Sequence, residues 1–187
     1  MRSLSVHAQD ISASPLSIED ANPWDILFLV SEIAAGIGKG HFGQVASEGR
    51  AQRSLAIRFA MGLLSRRWPF RKLVSPAIFI AARHRHSTVG TAFASISRSE
   101  NGPHIIALEY VVVDPRFRSQ GIGDALVRTV LDHAPVGAQV HCWCAPFSYE
   151  MQRLVSQLGF KRVREPKMVP LGGDTHKLSP ALWLKQL

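Results

Sequence analysis

Residues 105–131 constrain the fold more than any other stretch of the chain. Ile105 to Val113 is dominated by β-branched and aromatic residues, the composition of a strand buried on both faces. Asp114-Pro115 stops that strand, because proline has no amide to give to a ladder. Arg118-Ser119-Gln120-Gly121-Ile122-Gly123 follows, and then Leu126, Val127, Val130 and Leu131 stand at helical spacing. The stretch therefore reads as a strand, a break, and a glycine turn that opens a helix. Glycines let a backbone come close to a ligand with no Cβ between them. The helix behind them offers unpaired amides and the positive end of its dipole. Together these predict an anion site suited to a phosphate or pyrophosphate.

The flanking sequence supplies more strands and helices. Leu4 to Ala8 reads as a first strand, and Ser17-x-x-Asp20 as a helix cap inside a turn-rich stretch. Trp24, Ile26, Leu27, Leu29, Val30, Ile33 and Ala34 predict a helix ending near Gly36. A longer helix is expected over Ser47 to Arg67. It has one apolar face of Leu55, Ala56, Phe59 and Leu63 and a second of Ile57, Met61 and Leu64. Such a helix is either deeply buried or meets another molecule, a second copy included. Pro76–Arg83 and Thr88–Ser97 alternate as two strands joined by His84-Arg85-His86-Ser87. Gln139–Ala145 is a further strand, and Tyr149–Leu158 a helix closed by Gly159 with Phe160 packing back. Lys161–Arg164 and Ala181–Leu184 are expected as closing strands, separated by a Pro/Gly-rich loop from Pro166 to Pro180. The 187 residues suit one domain spanning 1–187.

Composition narrows the class. A content of 46% hydrophobic and 19% charged residues describes a soluble globular protein. Met1 to Ser14 holds no long apolar run, so no signal peptide is expected. Ile26 to Gly38 is too short and too interrupted to span a membrane, and the reading is cytoplasmic. Cys142 and Cys144 point the same way along a strand and are read as free thiols in a reducing compartment. With no further soft ligand nearby, and with His84 and His86 alone at a turn, no metal site is expected.

The net charge of +8 is unevenly placed. Between Glu48 and Glu100 lie ten basic and no acidic residues, whereas the remainder has 12 basic against 14 acidic. A solvated basic surface explains this, and so does attraction of a polyanion such as RNA. Gly38-Lys39-Gly40-His41-Phe42-Gly43-Gln44-Val45 spells the glycine-rich loop of protein kinases. The context excludes that reading. Helices rather than strands flank it, the next lysine after it is Lys72, and neither His-Arg-Asp nor Asp-Phe-Gly occurs.

The strand–turn–helix stretch closely resembles the coenzyme-binding segment of the GNAT superfamily of acetyltransferases. The signature Arg/Gln-x-x-Gly-x-Gly/Ala stands here as Arg118-x-x-Gly121-x-Gly123. Leu158-Gly159-Phe160 resembles the family's second landmark, and the likeness covers about Ala77 to Val163. The resemblance implies an α+β GNAT-like fold, a mixed, mostly antiparallel sheet flanked by helices, with acetyl-CoA as co-substrate. It implies a pantetheine arm lying along Val111, Val112 and Val113. The pyrophosphate would sit on Arg118, Ser119, Gln120, Gly121, Ile122 and Gly123, with Asp124 opening the helix. Ser148 would replace the asparagine that contacts the pantetheine amide, since a hydroxyl can make that bond. It also implies that the loop carrying His41, Phe42 and Gln44 covers the acceptor, the alternative being a plain connection between the first two helices.

Acetyl transfer to an amine requires a proton acceptor. Glu109 interrupts an otherwise apolar strand and is the candidate, the alternative being a structural glutamate paired with an arginine. The tyrosine that many family members place four residues before the Gly-Phe landmark is Val155 here. The proton donor for the leaving thiolate is therefore open. Tyr149 is the nominal candidate, with Cys144 and His141 on the neighbouring strand and water as a further source.

The leading expectation is an N-acetyltransferase acting on a primary amine of a small molecule or peptide. Alternatives are a GNAT toxin-like enzyme that acetylates aminoacyl-tRNA, a non-catalytic acyl-CoA-binding regulatory module, and a pure nucleic-acid-binding protein.

Overall fold

The computed structural model describes residues 16–37, 49–64, 76–98, 102–172 and 175–187. Its centre is a seven-stranded sheet of β1 (Ser17–Asp20), β2 (Ala77–His84), β3 (Ser87–Arg98), β4 (His104–Val113), β5 (Gln139–Cys144), β6 (Lys161–Arg164) and β9 (Ala181–Gln186). The order across the sheet is β1-β2-β3-β4-β5-β9-β6. Every neighbouring pair is antiparallel except β4 and β5, which run parallel. That parallel pair needs a crossover, and α3 (Ile122–Asp132) supplies it. The mixed, mostly antiparallel α+β architecture expected from sequence is the one observed.

Helices cover both faces. On one face α3 buries Leu126, Val127 and Val130, and α4 (Tyr149–Gln157) buries Val155, against Ile106, Leu108 and Val140 of the sheet. On the other face lie α1 (Pro23–Ile37) and α2 (Gly49–Leu64), which bury Leu29, Ile33 and Phe59 against Phe79, Phe93 and Val112. Phe59 is the centre of this second core. Its ring meets Phe93 at 5.0 Å, Tyr110 at 5.4 Å and Phe79 at 6.0 Å, the first two edge-on, as the aromatic quadrupole favours.

Local chemistry sets the ends of these elements. Arg85 and His86 take φ of 48° and 66°, the left-handed pair that a two-residue hairpin turn demands. At the close of α4, Gly159 adopts φ 80° and its amide bonds Ser156 O, while Phe160 N bonds Val155 O, each at 3.0 Å. This satisfies the last carbonyls of the helix.

Two expectations need correction. Ser17–Asp20 is a strand paired with β2, not a helix cap. The cap of α1 lies further on. Asn22 Oδ1 accepts from Trp24 N at 2.9 Å and Asp25 Oδ2 accepts from Asn22 N at 2.7 Å, a reciprocal pair around Pro23 in the first helical position. The stretch from Pro166 to Pro180 carries a hairpin of β7 (Met168–Gly172) and β8 (Thr175–Leu178) where a loop was expected. Of the two alternatives for α2, deep burial does not hold for its second apolar face, where Ile57 is 64% and Met61 40% exposed. The expected strand at Leu4–Ala8 and the glycine-rich stretch with His41, Phe42 and Gln44 lie outside the described residues.

Asp25 is fully buried and ties α1 to the β2–β3 hairpin. It takes Arg83 Nη2 at 2.8 Å, Arg83 Nη1 at 3.2 Å and Thr88 Oγ1 at 2.6 Å, and Arg83 also pairs with Glu19. Arg58 is likewise engaged internally, on Glu109. Part of the basic excess between Glu48 and Glu100 is thus structural.

Candidate functional site

The parallel pair is only half a pair. β4 is bonded to β3 up to Gly90↔Val113, but to β5 only from Ile105↔Gln139 to Leu108↔Cys142. Beyond Leu108 the two strands part. At the same point β4 carries a bulge, because Ala94 faces Leu108 while Phe93 faces Tyr110. Glu109 is the extra residue, and such bulges re-aim a side chain out of the alternation. The fork opens into a cleft of about 490 Å³. Glu109 and Val111 to Val113 form one wall and Cys142 to Ala145 the other, while Glu32 and Gly36 of α1 line one side.

The glycine turn closes the wide end. Asp114 anchors it. Its amide bonds Val89 O at 2.9 Å, its Oδ1 caps Arg116 N at 2.9 Å, and its Oδ2 takes Arg116 Nη2 at 2.7 Å. The Arg116 guanidinium holds the Asp114 carboxyl below the usual carboxylate range, against the opposing effect of burial. Ser119 at φ 60° and Gly121 at φ 78° then reverse the chain into α3. The first helical bond runs from Ala125 N to Gly121 O, which leaves the amides of Ile122, Gly123 and Asp124 without acceptors inside the helix. A Cβ on Gly121 would meet nothing within 4 Å. The glycine is therefore required by its backbone angle, not by crowding. Arg118 folds its Nε onto Val113 O at 3.2 Å, at the end of the fork.

The residues anticipated for coenzyme binding come together at this cleft. Val111, Val112, Val113, Arg118, Ser119, Gly121, Ile122, Gly123, Asp124 and Ser148 all line it. Gln120 does not. It is exposed, and its Nε2 bonds Arg116 O at 3.4 Å.

Glu109 lies on the α1/α2 face of the fork with its side chain 15% exposed. Its Oε1 accepts from Arg58 Nη2 at 2.6 Å and from Ser95 Oγ at 2.5 Å. Glu109 thus lines the cleft, and the pairing with an arginine offered as the alternative for it is present. Tyr149 is different. It opens α4 at 67% exposure and is not among the residues that line the cleft. Val155 is fully buried in the core. Cys142 and Cys144 are free, buried, and 3.7 Å apart between sulfurs on the α3/α4 face. The contact from Cys142 favours the thiolate of Cys144 and pulls that thiol below its ordinary range. The same contact, with burial, pushes Cys142 well up.

Sequence reasoning missed Glu32 and Gly36. They belong to a helix whose apolar stripe was legible, but no local pattern says which of its polar positions overlooks a cleft built elsewhere. Among the described residues no group of three or more metal-ligating side chains occurs, and no helix is long and apolar enough to cross a membrane.

A mixed sheet forked beside a glycine turn, with helix amides aimed at the gap, defines a fold of the acetyltransferase class. Solved structures share it. A phosphinothricin acetyltransferase from Sinorhizobium meliloti, in complex with AcCoA, aligns over 92% of this chain and 88% of its own at a TM-score of 0.67 and 17% identity. Arabidopsis thaliana NAA60, bound to a bisubstrate analogue, aligns over 92% and 98% at 0.61 and 15% identity. The PaiA N-acetyltransferase of Thermoplasma acidophilum, in complex with coenzyme A, aligns over 92% and 99% at 0.61 and 13% identity. No curated protein matches the sequence. The sequence pattern of the acetyltransferase (GNAT) family matches residues 53–160, and the chain belongs to that family.

Proposed function

We propose that this protein is an N-acetyltransferase that moves the acetyl group of acetyl-CoA to a primary amine. The observation that carries the reading is the fork between β4 and β5, with Glu109 at its apex and the α3 amides at its mouth. Acetyl-CoA suits this cleft on chemical grounds. The left-handed turn at Gly121 and the open amides of Ile122 to Asp124 form a cradle for a diphosphate. The unpaired edges of β4 and β5 offer peptide groups to an amide-containing arm. Solved relatives hold AcCoA or coenzyme A. When bound, the co-substrate supplies an activated acetyl thioester.

The chain's own residues then have distinct tasks. The α3 amides and Arg118 hold the charged end, and the walls of the fork exclude water from the arm. The nucleophile is the neutral amine, since an ammonium has no lone pair and sheds its extra proton before it attacks. Glu109, fixed by Arg58 and Ser95, takes the proton that the amine nitrogen then loses as the amide forms, directly or through water. Glu32 lines the same cleft from α1 and adds negative charge where a cationic amine would enter.

The test has two parts. Calorimetry with acetyl-CoA should show uptake, and a panel of amines, peptides and aminoacyl-tRNA should be screened for release of free coenzyme thiol. Glu109→Gln keeps the shape and an acceptor for Arg58 and Ser95. It should lower turnover by about 10²-fold or more, the usual worth of a positioned base, while leaving acetyl-CoA affinity unchanged. Absence of coenzyme uptake, or full turnover by Glu109→Gln, overturns the proposal. A nucleic-acid acceptor is the second reading, favoured by the ten basic residues between Glu48 and Glu100. Its mark would be turnover of charged tRNA that falls steeply with salt.

A further inference from the structure

An acetyl transfer moves two protons, one off the amine and one onto the departing sulfur. The fork separates these events in space. Glu109 lies on the face that α1 and α2 cover, as its bond to Arg58 shows. The phenol on that face, Tyr110, packs its ring on Phe59 and is not among the described residues that line the cleft. On the opposite face, Cys142 stands at the last paired position of β5, and Cys144 lies two residues into the open gap. Both thiols line the cleft, and they touch each other at 3.7 Å.

Among the described residues, the remaining charged groups on the cleft wall are Arg118 and Asp124 from the turn and α3, Glu150 and Arg153 from α4, and Glu32 from α1. β9 sets Ala181 and Trp183 opposite the two cysteines. The arginines among these charged groups do not let go of a proton. A thiol is a neutral acid of the same chemical kind as the coenzyme's own thiol. The tyrosine position is filled by buried Val155, and Tyr149 lies outside the cleft.

We propose that Cys144 protonates the coenzyme sulfur as the carbon–sulfur bond breaks, with Cys142 as the positioning donor that steadies the Cys144 thiolate. The inference rests on the acetyl-transfer reading above. The balance is simple. The amine nitrogen forms its bond to the acetyl carbon, the C–S electron pair passes to sulfur, and the Cys144 S–H proton follows it. Cys144 regains a proton from solvent, equal to the one that Glu109 releases. No oxidant or reductant enters. Cys142 keeps its proton throughout, and with its sulfur 3.7 Å from that of Cys144 it donates to the Cys144 thiolate as that thiolate forms.

Two measurements test this, one of them independent of turnover. Alkylation of each thiol by iodoacetamide, followed by mass, should be at least tenfold slower at Cys144 under saturating acetyl-CoA. Cys144 that stays fully reactive while calorimetry shows the coenzyme bound overturns the proposal. So does a native chain in which neither thiol is alkylated without coenzyme, since the cleft then does not reach them.

In turnover, Cys144→Ala and Cys144→Ser should both lower kcat about tenfold or more, with the KM for acetyl-CoA unchanged. Serine fills the space but is too weak an acid, so it separates chemistry from packing. A donor must be protonated to act, so kcat of the unmodified protein should fall as pH rises through the Cys144 titration. Both variants should lack that fall, and Cys142→Ala should shift it to higher pH. Variants with unchanged kcat and pH profile overturn the role of Cys144 and leave the transferase reading standing. An unmodified protein that binds acetyl-CoA but turns over no amine overturns that reading and this one together.

Discussion

Gly121 and Gly123 stand two residues apart in one turn, and alanine should act on them with opposite sign. Gly121 holds φ 78° and ψ 0°, and a Cβ there would touch nothing within 4 Å. The cost of Gly121→Ala is therefore purely conformational, about 1–2 kcal/mol for a non-glycine residue in the left-handed region. Gly123 is helical, and its added Cβ would sit 3.6 Å from Leu154 Cδ2 and 3.9 Å from Val113 Cγ2, ordinary packing distances. Gly123→Ala should then stabilise by about 0.5–1 kcal/mol, the usual gain over glycine inside a helix. For a chain of this size each kcal/mol moves Tm by about 2–4 °C. The two variants should therefore melt on opposite sides of the parent, separated by about 3–12 °C in scanning calorimetry. Isothermal titration adds the functional half. The Gly121 Cβ points into open space at the anion cradle, so Gly121→Ala should weaken coenzyme uptake by more than its folding cost explains. A Gly121→Ala protein that melts with the parent, or a Gly123→Ala protein that melts below it, would refute the argument that backbone angle alone dictates the first glycine.

Other perturbations bear on the scaffold. Asp25→Ala strips the fully buried acceptor of Arg83, Thr88 and Asn22 N. It should cost about 3 kcal/mol, the order found when one partner of a buried pair is lost, measured as a lower urea midpoint with unchanged slope. Phe59→Ala empties the centre of the α1/α2 core and should cost about 3–5 kcal/mol, read the same way. Asp114 has its folded pKa lowered, chiefly by Arg116. Its contribution to stability is complete above its unfolded value, about pH 4, and is lost as pH falls through the lower folded value. Asp114→Asn keeps an oxygen for Arg116 N but loses the ion pair with the largely exposed Arg116, whose worth is the small one of a surface pair. It should lower Tm at pH 7 by about 0.5–4 °C, and the difference should shrink in acid.

The segment from Ile105 to Phe160 was legible because each element there carries its own local signal. Asp114-Pro115 ends a strand by chemistry that needs no partner, and Gly121 and Gly159 both occupy the left-handed backbone that their positions imply. Ser17–Asp20 was misread because its four residues become a strand only by pairing with β2, sixty residues away. The β7–β8 hairpin was hidden by Pro170, which reads as loop yet lies within a strand of a two-stranded sheet, the edge setting where proline is tolerated. At the site, Glu109 stood out as a charge in an apolar run, but its bulge and its arginine depend on β3 and α2. The outward turn of Tyr149 was equally invisible, since position along a helix does not say which side of it meets a cleft.

The bulge at Glu109 has a consequence for how tightly the chain length is fixed. The extra residue lets Leu108 and Val112 both stay buried although an acidic side chain intervenes. Deleting Glu109 itself would restore strict alternation and leave Tyr110 to Val113 in their present register with β3, on the faces they hold now. Deleting a residue in the regular run from Ile105 to Leu108, where no extra residue stands to absorb the change, would instead send side chains to the wrong side. The one residue this strand could lose and still pack is the one whose carboxylate faces the cleft.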